Sequence, residues 1–248
     1  MIRRLGGPAL AATVVALVAG CGTPSLAGPQ SARRIDPAAS PAPGASASGA
    51  QGGGSGTCRW KAVEPGNETN VKNVGTPPTS VPKATTAVMA LTTNLGAIEI
   101  TMDAKAAQCA VASFSFLAGK KFFDGTSCHR LVTEGIHVLQ CGDPSGTGAG
   151  GPSYQYAEEN LPKAKGYASG TVAVARTAVP GTSGSQFFVN FGDNPELTAD
   201  YTLLGVVTRG MDVVDQVARG GVGAGGQSET DGPPKVSLVL QRVTVAYG

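Results

Sequence analysis

Gly170-Thr171-Val172-Ala173-Val174-Ala175-Arg176 and, after a short loop, Gly184-Ser185-Gln186-Phe187-Phe188-Val189 decide the reading of the fold. Both segments are short, rich in β-branched or aromatic residues and bounded by glycine, which reads as strand. The runs extend over Thr171–Ala175 and Gln186–Phe191, with similar ones near Ser127–Val132, His137–Cys141, Thr202–Val207 and Val236–Val245. Upstream, Val88 and Ala90, then Ile98, Ile100 and Met102, alternate with Thr and Glu around Asn94-Leu95-Gly96. That is the pattern of a β-hairpin, with Gly96 permissive at the turn. Ala106, Ala110, Phe114 and Leu117 recur at helical spacing, with Gly119 placed as a C-terminal cap. A second helix is predicted over Met211–Arg219, stopped by Gly220-Gly221. Many short strands, Gly-rich loops and two helices predict a mainly β, mostly antiparallel barrel with helical caps.

Working outward, the N-terminal third has a different composition. The chain of 248 residues is 41% hydrophobic but only 5% aromatic, with 36 Gly and 17 Pro, so part of it does something other than pack. A net charge of +2 without a long run of either sign excludes a nucleic-acid footprint. Arg3 and Arg4 precede a short apolar stretch, Leu10–Val18, too short for a comfortable membrane span. It ends in Val18-Ala19-Gly20-Cys21, which resembles the lipobox of bacterial lipoproteins. Residues 1–20 are therefore expected to be a signal peptide and Cys21 the lipid-attachment residue of a protein on the extracytoplasmic face of the cell membrane. Residues 21–57 read as a flexible Ala/Gly/Ser/Pro tether with a random-coil reach of roughly 30–35 Å. Residues 58–84 form an irregular, Pro-containing arm, in which packing is the expected role of Trp60, and residues 85–248 the folded domain. Cys58, Cys109, Cys128 and Cys141 read as potential disulfides, with three pairings open. No Cys-x-x-Cys pair occurs and only two His are present, so no zinc site is expected.

Two motif matches carry little weight. Gly146–Gly151 and Gly221–Gly226 both fit G-x-G-x-x-G, but the first runs into Pro152 and the second follows a helix, whereas a dinucleotide site needs strand, turn and then helix. Gly181-Thr182-Ser183-Gly184-Ser185 imitates a hydrolase elbow without the closing glycine or the strand-turn-helix context.

The segment Phe122-Phe123-Asp124-Gly125-Thr126-Ser127-Cys128-His129-Arg130-Leu131-Val132 resembles a cyclophilin. The likeness continues through Leu139-Gln140-Cys141-Gly142-Asp143 and is strongest in the two segments quoted first. It closes with Tyr201–Val207 and Gly210-Met211-Asp212-Val213-Val214. The blocks stand in family order across 85–248. The resemblance implies a closed eight-stranded antiparallel barrel capped by two α-helices, and peptidyl-prolyl cis/trans isomerase activity without cofactor or metal. It implies Arg130 as the catalytic donor, Gln140 and Gln186 as ligands of the peptide, and Val138, Phe188 and Leu197 as the proline pocket. Ala175 and Arg176 would offer main-chain groups, with His137 and Tyr201 also lining the site.

Four departures accompany the resemblance. The loop between Arg130 and Gln140 is two residues longer than the common form. His137 stands where the family usually has Phe, and Arg176 where it usually has Asn. Glu196 replaces a Trp of cyclosporin-sensitive members, so weak binding of that drug is expected. His129 neighbours Arg130 on a strand and should face the other way, in a structural role. Cys128 and Cys141, on two strands of an expected hairpin, are the pair most expected to face each other. The expected partners are proline-containing peptides or unfolded secreted proteins, bound by a monomer that reaches the membrane through its lipid. A catalytically weak module that only holds such peptides is the alternative.

Overall fold

In the first hairpin the inward row of one strand selects the inward row of the other. The computed structural model describes residues 56–63 and 70–248; Cys21, the expected leader and nearly all of the tether lie outside these. The elements are β1 (Lys61–Ala62), β2 (Thr86–Thr93), β3 (Ala97–Asp103), α1 (Gln108–Gly119), β4 (Thr126–Ser127), β5 (Arg130–Val132) and β6 (Val138–Cys141). They continue with β7 (Tyr154–Gln155), β8 (Thr171–Val174), β9 (Phe187–Asn190), β10 (Leu203–Arg209), α2 (Met211–Gly220), β11 (Asp231–Gly232) and β12 (Val239–Tyr247). Ala87, Met89 and Leu91 stand opposite Met102, Ile100 and Ile98, and directly opposed residues share a face. Those six are buried, whereas Val88 is 39% exposed, so the phase marked by Val88 and Ala90 is the outer one. At the turn, Gly96 has φ 146° and a Cβ there would lie 2.9 Å from Val213, so glycine is required twice over.

The main sheet is antiparallel, in the order β11-β5-β6-β9-β8-β10-β3-β2-β12-β4. It counts ten strands where the resemblance implied eight; β4 and β11 are two-residue additions at its ends. The sheet curls, because β4 beside β12 runs through Cys128 and His129 directly into β5, near the opposite end of the order. The curl encloses Phe114, Phe122, Phe123, Leu131, Leu139 and Phe187, all essentially without solvent contact.

Helix α1 begins after Ala106 and retains Gly119 as its last residue, with Lys120 as the cap. Lys121, at φ 54°, makes the left-handed turn that had been assigned to Gly119. Helix α2 ends as expected, at Gly221 with φ 73°. The disulfides are Cys58–Cys109 and Cys128–Cys141. The first ties the arm to the start of α1, and arm and domain belong to one compact unit, Ala50–Gly248.

The N-cap of α1, Ala107, provides no side-chain bond; Glu159 does so from a distant loop, accepting from the Ala110 N–H at 2.6 Å. Burial nevertheless pushes the Glu159 pKa up from 4.5 to about 7, against the pull of the helix N–H groups. A carboxyl whose folded pKa exceeds its unfolded value leaves the native state holding more protons between the two. Stability is therefore lost as pH rises through that window. Urea titrations between pH 4 and 8 should show a fall of about 3 kcal/mol across it, removed by Glu159→Gln; a flat wild-type profile would contradict this assignment.

Candidate active site

Strand β9 has four consecutive buried residues, Phe187-Phe188-Val189-Asn190, so it is covered on both faces. Phe187 and Val189 point into the main core together with Leu131, Leu139, Val172 and Val174. The alternate positions Phe188, Val138, Val132 and Ala173 form a second, smaller apolar cluster with Tyr167. Ile136, Ala175, Leu197, Tyr201 and Leu203 pack around it. On a half-solvated antiparallel sheet such outward positions would normally be polar.

A cross-strand row brings the polar groups to this cluster. Arg130 in β5 stands opposite Gln140 in β6, which stands opposite Phe188 in β9, which stands opposite Ala173 in β8. Arg130, Gln140 and Phe188 therefore share one face of three adjacent strands. Arg130 Nη1 lies 3.5 Å from Gln140 Oε1, and Gln140 Nε2 donates to Gln186 Oε1 at 2.7 Å. Gln186 Nε2 donates in turn to the carbonyls of Gly148 and Gly150, at 3.0 and 2.8 Å.

The far side of Arg130 is held by a residue that sequence reasoning missed. Asp231 accepts from Nε at 2.7 Å and from Nη2 at 2.8 Å, a bidentate pair. The Arg130 hydrogen bond and charge hold the Asp231 carboxyl below its usual range, and Asp231 raises Arg130. A guanidinium has five N–H donors. Asp231 and Gln140 take three, which leaves one on each of Nη1 and Nη2 beside the Phe188 cluster. Asp231 lies 101 residues from Arg130, in Thr-Asp-Gly-Pro, which as sequence reads only as a turn.

Asp143 anchors the opposite end of the row. Although burial opposes ionisation, bonds from Ser145 Oγ and the N–H groups of Ser145, Gly148 and Gly150 hold its pKa below the usual value. The amides of the first G-x-G-x-x-G match are thus turned onto the protein's own carboxylate. A Cβ at Gly150 would collide with that carboxylate, which accounts for glycine there.

The remaining expected residues are distributed as follows. Leu197 and Tyr201 join the Phe188 cluster, Tyr201 with its ring 5.3 Å from that of Phe188. In the longer loop Ile136 packs there too, whereas the His137 ring stands 5.6 Å from that of Phe191 and the His137 backbone N–H donates to Asn194 Oδ1. The Ala175 N–H is bonded to the Gln186 carbonyl. Arg176 turns its side chain back onto its own loop, donating to the Asp200 and Thr177 carbonyls and pairing with Glu158 at 3.7 Å. Glu196 is exposed and ion-paired with Lys165. His129 packs its ring near Gly148, and burial lowers its pKa. Cys128 and Cys141 are bonded to each other as expected, close to Arg130 and Gln140 in sequence.

Fold and site together define a curled antiparallel-sheet domain with a clamped cation and two side-chain amides beside an apolar cluster. Residues 88–245 match the family model described as cyclophilin type peptidyl-prolyl cis-trans isomerase/CLD. The chain belongs to that family. It is 37% identical over 194 residues to the probable peptidyl-prolyl cis-trans isomerase B of Mycobacterium leprae (strain TN), covering 73% of this chain and 62% of the relative. Peptidyl-prolyl cis-trans isomerase A of Mycobacterium tuberculosis (strain ATCC 25618 / H37Rv) is 35% identical over 178 residues, covering 65% of this chain and 93% of the relative. The crystal structure of a Cryptosporidium parvum cyclophilin type isomerase superposes with a TM-score of 0.57 at 22% identity, covering 66% of this chain and 99% of that one. The chain spans only about three fifths of the B-type relatives it matches, 62% and 60% of their lengths.

Asp231 bonds to Arg130 and belongs to neither apolar cluster, so its role is positioning. Asp231→Asn should lower kcat for an X–Pro peptide by roughly tenfold, about 1.4 kcal/mol, with KM nearly unchanged. Asp231→Glu should recover part of the loss. Equal kcat in wild type and Asp231→Asn would remove Asp231 from the site.

Proposed function

We propose that this chain is a peptidyl-prolyl cis/trans isomerase acting on X–Pro bonds of extracytoplasmic proteins as they fold. The observation that carries the reading is the Arg130 guanidinium fixed between Asp231 and Gln140, beside the Phe188 cluster. Amide resonance sets a rotation barrier of about 18–20 kcal/mol. X–Pro isomers differ little in energy yet exchange over tens to hundreds of seconds. A catalyst has only to stabilise the twisted bond, whose nitrogen has regained its lone pair. An N–H donor held at that nitrogen does so, while an apolar slot for the pyrrolidine ring keeps the bond in place. Arg suits the task because it remains charged at any working pH and its plane fixes where each N–H points. Gln140 and Gln186 hold the flanking peptide groups, and no bond to the enzyme is made or broken.

The same reading takes the curled sheet as a closed barrel of eight principal strands, β4 continuing into β5. It places the domain on the outer face of the cell membrane, attached through a lipid on Cys21 and acting as a monomer. Support for the anchor comes from the order of Arg3-Arg4, the apolar Leu10–Val18 and the small residues before Cys21. In a lipoprotein-processing bacterium, labelled fatty acid should enter the wild-type protein and sediment with membranes. Cys21→Ser should be unlabelled, and label retained in that variant would exclude Cys21 as the attachment point.

Activity is tested on a short peptide containing one X–Pro bond. Arg130→Ala should reduce kcat/KM by at least about 100-fold, the loss typical of removing one transition-state donor, while peptide binding persists. A wild type that binds the peptide yet leaves its isomerisation at the uncatalysed rate would establish the binding module instead.

A further inference from the structure

The cleft does not end at Gln186. A cavity of about 680 Å³ opens from Gln140, Gln186 and Ala175 and continues to a far wall made by Lys61, Val63, Asn70 and Val71. That volume lies in the range of sites built to hold a ligand. The far wall belongs to the arm, and all four of its residues precede residue 88, where the family match begins. It is therefore an addition to the family domain.

Backbone bonds hold the arm at this place. Lys61 and Ala62 pair with Gln155 and Tyr154 as a two-stranded sheet. The Val63 N–H donates to Ser153, and the Gly151 N–H donates to Asn70. The Lys72 N–H donates to Gly151 and its ammonium to the Phe122 carbonyl. Trp60 stands edge-on to Tyr154 and Tyr156, with ring centres 5.3 and 5.6 Å away, and Cys58 is bonded to Cys109. The loop that receives these bonds also carries the Gly148 and Gly150 carbonyls that fix Gln186. Wall and catalytic row thus share one support. Val179, which also lines the cavity, offers a large apolar side chain that is 62% exposed.

We propose that the arm is part of the substrate groove: it binds an extended stretch of the same polypeptide, a few residues from the X–Pro bond, through an apolar side chain held between Val71 and Val179. This rests on the isomerase reading of the Arg130 site. The occupant follows from continuity, since a chain seated at Gln140 and Gln186 enters the cavity directly. At about 3.3 Å per residue, an extended chain moves some 10 Å from the bond in three residues. Thr177, Thr182, Asn70 and Gln155 line the cavity with groups suited to the backbone of such a chain. Substrates long enough to reach the arm are held at two places, short ones at one.

The test uses the protein with its arm intact and two peptides sharing the same X–Pro core. One carries a single residue on either side of the core; the other carries five, including a leucine at each position in turn. Isomerisation and the emission of Trp60, the only tryptophan, are followed on titration. The long peptide with the best-placed leucine should bind roughly tenfold more tightly and shift the Trp60 emission, while the short peptide should not shift it. Val71→Asp, and separately Val179→Ser, should abolish that difference while the short peptide is turned over as before. Long and short peptides binding equally, or a preference that survives both substitutions, would overturn the inference. If no peptide is isomerised even by wild type, the enzymatic reading fails, and the difference in binding still decides the role of the arm.

Discussion

Everything at this site depends on β9 being buried on both faces. An antiparallel strand that faces a core on one side and water on the other alternates apolar with polar residues. Phe187-Phe188-Val189-Asn190 does not, and the curled sheet therefore carries two apolar clusters of unequal size. The larger fills the interior. The smaller lies on the other face of the same strands, with Leu197 and Tyr201 packed against it. On the proposed reading this cluster receives a small rigid apolar group, and proline, with its ring and fixed φ, is such a group.

Polar residues reach this slot by register. Because Arg130, Gln140 and Phe188 are direct partners across β5, β6 and β9, the distance between cation and slot is set by the spacing of strands. The hydrogen-bonded row from Asp231 through Arg130, Gln140 and Gln186 to the loop around Asp143 then fixes rotation of each group within that frame. A carboxylate closes the row at each end, both with pKa values below the usual range. Both shifts favour the charged carboxylates, the form that accepts these bonds.

What could be read from the sequence divides along the same physical line. Strand runs such as Thr171–Ala175 and Gln186–Phe191, and the stop of α2 at Gly220-Gly221, are local patterns, and local patterns survive into the fold. Arg130, Gln140, Gln186 and Phe188 were legible because the ordered segments around them resemble a family. No spacing rule brings residues 130 and 186 together. The phase of β2 was misread because Val88 and Ala90 are as apolar as their neighbours, and only pairing with Ile98 and Ile100 resolves which row faces in. Gly119 was the better cap by propensity, yet Lys121 took the left-handed turn because the chain had to reach Phe122 and Phe123 in the core. The role of Asp231 and the place of the arm beside the cleft were invisible for a deeper reason. Both act through contacts more than fifty residues apart, between Asp231 and Arg130 and between Cys58 and Cys109, in segments with no periodicity of their own.

A clamped arginine raises the question of whether its charge is wasted on Asp231. A half-exposed ion pair contributes little to stability, since water screens the attraction and two side chains lose freedom. Arg130, with its side chain 36% exposed, is such a case. The pair's value lies in geometry. Twisting an imide creates a lone pair in one direction only, and an untethered guanidinium would have to find that direction anew in each turnover. On the isomerase reading proposed above, fixing Nε and one edge of Nη2 on Asp231 leaves less reorganisation for the moment of rotation. On that reading the anion, held at the Nε/Nη2 edge, leaves one N–H on each of Nη1 and Nη2 for the substrate. The arrangement gives up part of the field of a bare cation for a donor whose direction is settled before the substrate arrives.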